Sequence, residues 1–229
     1  EMGSINGDAD QTPTHNVTLD AFWIDRTEVT NGMFAQCVAA GVCREPDMSR
    51  SAYRRSYYGN AKYDDYPVIQ MDWFNANDYC EWAGRRLPTE AEWEKAARGT
   101  DGRTYPWGEA LSCKLVNYSE KNDCVGDTSK VGSYPDGASA YGALDMAGNV
   151  MEWAADWYDE NYYSQSPEKN PMGPSSGEKR VLRGGSWATS DFLRVWSTAR
   201  WWSDPSFSAS LSNGFRCAAS TALPNRDDK

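Results

Sequence analysis

Gly142-Ala-Leu-Asp-Met-Ala-Gly-Asn-Val-Met-Glu-Trp153 is punctuated by glycine and sets two acids, Asp145 and Glu152, among apolar residues without a sustained helical or strand period. It lies inside a longer turn-rich segment, 100–177, marked by Asp-Gly, Pro-Trp-Gly, Pro-Asp-Gly and Gly-Asn. Such punctuation predicts long, ordered loops in place of regular elements.

Regular structure is expected on either side. Upstream, Arg85-Arg-Leu-Pro-Thr-Glu-Ala-Glu-Trp-Glu-Lys-Ala-Ala-Arg-Gly99 carries a capping box, Thr89 with Glu92, and predicts a helix that stops at Gly99. Thr30 can cap a helix over 31–40, with Met33, Phe34, Cys37 and Val38 on one face and Gly41 to end it. Asp72 precedes a second helical pattern over 73–83, where Ala76, Tyr79, Cys80 and Ala83 share a face before Gly84. The alternation of Val17 and Leu19, then Phe22 and Ile24, predicts a half-buried strand at 15–25, and short strands are expected at 181–183 and 214–217. Strands at both ends, helices between them and no internal repeat give one α+β domain.

The 229 residues are 40% hydrophobic and include 11 Trp, 13 Tyr and 6 Phe, enough for a substantial, ring-rich core. A net charge of −10 and a pI near 4.7 repel phosphate backbones and anionic bilayers, so no nucleic acid partner is expected. No window reaches the roughly 18 apolar residues of a membrane helix, and the polar opening 1–14 is unlike a basic-then-apolar leader, so no membrane insertion is expected. The one histidine, His15, excludes mechanisms that need two or three imidazoles, and at the start of a strand it reads as structural.

Cysteines stand at 37, 43, 80, 113, 124 and 217, with no C-x-x-C spacing. Two close pairs, Cys37 with Cys43 and Cys113 with Cys124, would each clip a loop and leave Cys80 and Cys217 to join the core. Six buried thiols are the alternative. Oxidation implies extracytoplasmic or cell-surface surroundings.

Several runs together, Asp25-Arg-Thr-Glu-Val-Thr-Asn31, Tyr79 to Trp93, Tyr105-Pro-Trp-Gly108, Gly142 to Trp153, Arg183-Gly-Gly-Ser-Trp187 and Gly214-Phe-Arg-Cys217, give the chain its likeness. It resembles the formylglycine-generating enzyme (sulfatase-modifying factor) family. The resemblance implies an elaborated C-type-lectin-like fold over 15–220, between an N-terminal extension, 1–14, and a C-terminal tail, 221–229. It also implies the bridge Cys80–Cys217, whereas a second family bridge would fall on Ala97 and Ser197 and is missing. The family's oxidases use two cysteines after the Gly-Gly-Ser turn to bind copper and attack a sulfatase cysteine. Residues 187–200 contain none, and a hydroxyl cannot replace a thiolate that holds soft Cu(I). No copper and no catalytic residues are therefore expected, and the chain reads as a non-enzyme. The alternatives are a sulfatase-modifying oxidase with an unrecognised site, or an accessory sensor module of a kinase.

The same resemblance implies structural calcium. One site would use the carboxylates of Asp145 and Glu152 with the carbonyls of Gly148 and Val150, unless Asp145 caps a turn and Glu152 forms an ion pair. A second would use Asn117, the Tyr118 carbonyl, Asp123 and the Val125 carbonyl, with Asp127 able to stand in for Asp123. The sequon Asn117-Tyr-Ser119 offers a rival reading as a glycan acceptor.

From Ser186 to Ser212 there are eight serines and four tryptophans in 27 residues, with no period throughout. Adaptable hydroxyls beside rigid rings make a recognition surface. The alternative is an ordinary loop whose tryptophans, Trp187 above all, belong to the core. The segment also resembles the variable region of retroelement-diversified proteins, where adenine-directed mutation of Asn codons yields Ser, Thr, Ala, Asp, Phe and Leu, though never Trp. The candidate ligand-binding residues are Ala188, Thr189, Ser190, Asp191, Phe192, Trp196, Trp201, Trp202, Ser203, Phe207, Ser208, Ser210 and Leu211. Their expected partner is a protein or other macromolecule.

Overall fold

The computed structural model describes residues 1–119 and 124–220. Three helices form where their caps place them. Thr30 opens α1 (Asn31–Ala39) by accepting the Met33 amide, and Asp72 opens α2 (Trp73–Trp82) by accepting that of Asn75. Both halves of the capping box are made at α3 (Glu90–Arg98): the Glu92 amide donates to Thr89 Oγ1, and the Thr89 amide donates to Glu92 Oε2.

Among the described residues, six short strands make two sheets. The larger has the order β4-β3-β2-β5, from β2 (Met151–Trp157), β3 (Arg180–Arg183), β4 (Arg200–Ser203) and β5 (Asn213–Gly214); β5 runs parallel to β2 and the other pairs are antiparallel. The smaller pairs β1 (Trp23–Ile24) with β6 (Ala218–Ala219), joining the two ends of the domain.

Four expectations need correction, the first being the strand at 214–217, which is replaced by β5 ending at Gly214 and β6 beginning at Ala218, with 215–217 in neither. The strand at 15–25 shrinks to Trp23–Ile24: Val17 and Leu19 do pack inward, against a cluster of Met2, Ala91, Tyr162 and Tyr163, but only single bridges, His15 to Met2 and Thr18 to Lys169, flank them. The turn-rich segment hides β2, whose consecutive residues Glu152, Trp153 and Ala154 are all buried, so that no alternation marks it. Residues 1–14 are part of the domain and not an extension: Met2 is in the core, and the Gly3 amide donates to the buried Glu94 at 2.9 Å.

Directly opposed residues share a face of the sheet. Trp153, Leu182 and Trp201 therefore lie on one face, where Phe34, Met71, Tyr79 and Phe215 complete the main core with α1 and α2. Glu152, Arg183 and Arg200 lie on the other, against α3. There Arg200 forks onto Glu90 at 2.8 and 3.0 Å, and Arg183 reaches Glu94 at 2.7 Å. All four side chains are buried, so each charge depends on its partner. Disulfides join Cys37–Cys43, Cys80–Cys217 and Cys113–Cys124, in the pairing that spacing and resemblance led us to expect. Three such bridges accord with an oxidising, extracytoplasmic setting. No described helix is long and apolar enough to cross a membrane.

Candidate functional site

The Ser/Trp-rich segment follows β3. Gly184 and Gly185 follow with φ of 89° and 68°, and a Cβ on Gly185 would come within 2.8 Å of the Arg194 carbonyl, so only glycine lets the chain fold back here. A tight turn results: the Ser186 amide donates to Thr189 Oγ1 and the Thr189 amide to the Ser186 carbonyl, both at 3.0 Å. Asp191 Oδ1 then caps the 3-10 turn Phe192–Val195 by accepting the Leu193 amide. Between this loop and β4 lies a pocket of about 310 Å³, lined by Met151, Ser186, Ala188, Thr189, Ser190, Asp191, Arg194, Trp201 and Ser212. The Arg194 guanidinium stands 4.8 Å from the Trp201 ring centroid and pairs with Asp8 at 3.2 Å, while Trp201 Nε1 donates to the Arg194 carbonyl.

The structure divides the thirteen candidate residues. Ala188, Ser190, Asp191, Phe192, Trp202 and Phe207 are exposed; Trp201, Ser203, Ser208 and Ser210 are half-buried. Thr189 is buried and its hydroxyl closes the turn, and it also lines the pocket. Trp196 and Leu211 are half-buried and face inward, Trp196 toward Tyr105, Val116 and Val195, and Leu211 toward Tyr57, Ile69 and Val150. Trp202 sits on the opposite sheet face from Trp201, with Lys179 Nζ 3.1 Å from its ring centroid and Tyr158 beside it. Ser208 and Ser210 lie on a stretch tied to a separate loop, Ser208 Oγ donating to Asp47 and the Gln70 amide to the Ser210 carbonyl. Sequence reasoning missed Met151, Arg194 and Asp8. Arg194 was within reach, as a cation inside the Ser/Trp window; Met151 and Asp8 come from distant segments with no local signal.

The expected cation donors fall in two regions, and among the described residues no group of three or more acidic, His or Cys side chains converges as a metal cluster. Asp145, at φ 56°, accepts the Gly132 amide at 2.6 Å. Glu152 gives both oxygens to Arg216, at 2.6 and 2.7 Å, and accepts Trp93 Nε1 at 2.8 Å. Its carboxylate is thus committed to an ion pair and does not fit the ligand role expected of it. Glu28 takes its place beside Asp145: it accepts the Asn149 side-chain amide at 2.9 Å and leaves Oε2 buried without a donor. Burial first, then the charges of Asp145 and Glu152, push the Glu28 carboxyl well up; burial likewise raises Asp145. One buried guanidinium faces three carboxyls, and that balance fits a proton or a cation held between Glu28 and Asp145.

At the second place, Asn117 is buried, donates from Nδ2 to the Asp127 carbonyl at 2.8 Å and leaves Oδ1 without a donor, as a cation ligand would. Burial of this amide overturns the glycan reading. Asp127 cannot substitute as a ligand, since its oxygens accept Ser51 Oγ and the amides of Tyr53 and Thr128 and pair with Arg54 at 3.2 Å. Tyr118 is buried and its carbonyl accepts the Cys124 amide at 3.3 Å, while Val125 is exposed; Asp123 lies outside the described residues.

A family model described as the sulfatase-modifying factor enzyme 1-like domain matches residues 1–221. The chain belongs to that family. It is 38% identical over 233 residues to the serine/threonine-protein kinase pkn1 of Chlamydia pneumoniae, a match that covers 94% of this chain and 36% of the kinase. It is 37% identical over 260 residues to the formylglycine-generating enzyme of Streptomyces coelicolor, covering 91% of this chain and 81% of that enzyme. The chain therefore spans about a third of the length of the kinase it matches. Among solved structures, PvdO from Pseudomonas aeruginosa aligns at a TM-score of 0.79 with 28% identity, over 95% of this chain and 89% of that one. Treponema denticola variable protein 1 aligns at 0.78 with 24% identity, over 96% and 91%, a likeness of fold. The architecture is the α+β, C-type-lectin-like form of the formylglycine-generating-enzyme type.

Within this sulfatase-modifying-factor domain, the pocket beside the Gly-Gly-Ser turn is walled by hydroxyls, one guanidinium, one carboxylate and one indole. No cysteine lines it, and all six are spent in disulfides.

Proposed function

We propose that this domain is a non-catalytic ligand-binding platform that engages a protein or other macromolecule through the face around Trp201. The observation that carries the reading is the pocket itself: a rigid indole floor under Ala188, Ser190, Asp191 and Arg194, with no thiol to perform the family's oxidation. Disulfides and the buried Glu90–Arg200 and Glu94–Arg183 pairs fix the scaffold beneath it, which favours preorganised binding. Structural calcium belongs to the same reading, at Asn117 and between Asp145 and Glu28, where it would neutralise buried oxygens and brace loops of few regular hydrogen bonds.

Diversification of 188–212 by a retroelement is the finer form of the proposal. It is supported by the exposure of Ala188, Ser190, Asp191, Phe192 and Phe207, residue types that adenine-directed mutation yields, and by the shared fold of a Treponema variable protein. Sequencing the locus in sibling isolates tests it: substitutions confined to the exposed positions are expected, and even drift along the chain overturns it. The non-catalytic claim is tested by offering the copper-treated protein a sulfatase-type cysteine peptide, where any turnover defeats it. A second reading, an accessory module of a kinase, is favoured by the match to part of a Chlamydia kinase and predicts a contiguous kinase domain in the full gene.

A further inference from the structure

On the α3 side of the sheet, away from Trp201, a cleft of about 630 Å³ opens between the extended residues 17–24 and the helix. Its walls include Val17, Leu19, Phe22, Ala91, Lys95 and Tyr141. Main-chain groups along this stretch are unevenly used. Thr18 donates to the Glu168 carbonyl and accepts the Asn170 amide, and the Asp20 amide donates to Asn170 Oδ1. Val17, Leu19, Ala21 and Phe22 have no backbone hydrogen-bond partner among the described residues. At both ends of this gap the same stretch already takes an antiparallel neighbour, Met2 at His15 and β6 at Trp23–Ile24. An unpaired length of edge between two paired lengths is a template for another strand.

We propose that the cleft binds an extended segment of a partner protein, added antiparallel to residues 17–22, with an acidic side chain directed at Lys95. Extended backbone is the ligand class that the row of free amides and carbonyls selects, because a helix satisfies its own main chain and leaves such a row unmet. Alternate side chains of the added strand turn toward Ala91 and the half-buried Leu19 and Val17, which asks for apolar residues there. Lys95 supplies the charge. Its ammonium lies 5.6 Å from the exposed Tyr141 ring and has no carboxylate partner among the described residues, while nearby Glu94 pairs with Arg98 and Asp20 with Lys169. This site is independent of the recognition face.

Fluorescence anisotropy with a panel of labelled peptides of about eight residues, alternating Val and Thr around one Asp, tests the proposal. Saturable binding is expected, at least about tenfold weaker when alternate peptide amides are N-methylated, since methylation removes the strand donors without touching the protein. Lys95→Glu should weaken the Asp peptides severalfold and favour their Lys counterparts. Equal affinity for methylated and unmethylated peptides, or no saturable binding by any member of the panel, overturns the proposal.

Discussion

Trp201 and Trp202 are neighbours in β4 and face opposite ways: the indole of Trp201 lines the 310 Å³ pocket, whereas that of Trp202 lies under Lys179 beside Tyr158 on the α3 side. A pair of adjacent rings that looks like one aromatic strip in the sequence is therefore two separate features.

Alanine at these positions should have separable effects. Trp201→Ala removes the pocket floor and packing against the main core, and should cost about 2 kcal/mol in urea unfolding together with most ligand affinity. Trp202→Ala should cost under about 1 kcal/mol and spare binding at the pocket. Equal losses of affinity from both would contradict the division of faces.

Asp156 should make stability fall as pH rises. Burial first, and then the charge of Glu90, push its carboxyl up from 3.8 to about 8, although it accepts the Glu90 amide at 2.8 Å. Between those values the folded chain keeps a proton that the unfolded chain releases, so the contribution is fully present below about 3.8 and is lost as pH passes through about 8. Asp156→Asn should flatten the stability profile over this window and raise the melting temperature at pH 8 relative to the parent; parallel profiles would refute it.

Calcium, if held by Asn117 and by Glu28 with Asp145, should raise the melting temperature of metal-free protein, and chelator should reverse the rise. Asn117→Ala and Glu28→Gln should each reduce the calcium-dependent increment relative to the parent. Melting curves unchanged by calcium in chelator-treated buffer would count against both places.

Cys80–Cys217 bridges residues 137 apart in sequence and pins α2 to the stretch before β6. Replacing both by serine should cost about 2–5 kcal/mol by chemical denaturation. The Cys37–Cys43 bridge closes a far shorter loop, and its removal should cost less.

Much of the scaffold was legible because its signals are local. Thr30, Asp72 and Thr89 announce three helices through short-range side-chain bonds, and glycines at the ends mark where those helices stop. The strands were read less well. β2 has both faces covered and shows no alternation, and β4 borrows its regularity from the register Arg183↔Arg200 with β3. At the candidate site, the glycine turn and the Ser/Trp composition marked a segment that lines a pocket, but burial sorted its residues: Thr189 closes a turn, and Trp196 and Leu211 face the interior.

By itself the sequence determined the helices, the disulfide pairing, the family likeness and the loss of the oxidase cysteines, since each rests on residue identity at short or characteristic spacing. The tertiary structure decided which acid pairs with a buried arginine and which indole lines the pocket. Glu152 is neutralised by Arg216, 64 residues away, and Glu28 reaches Asp145 from the other end of the domain. Those outcomes depend on which distant charges share one low-dielectric interior, a quantity fixed only when the sheet register brings them together.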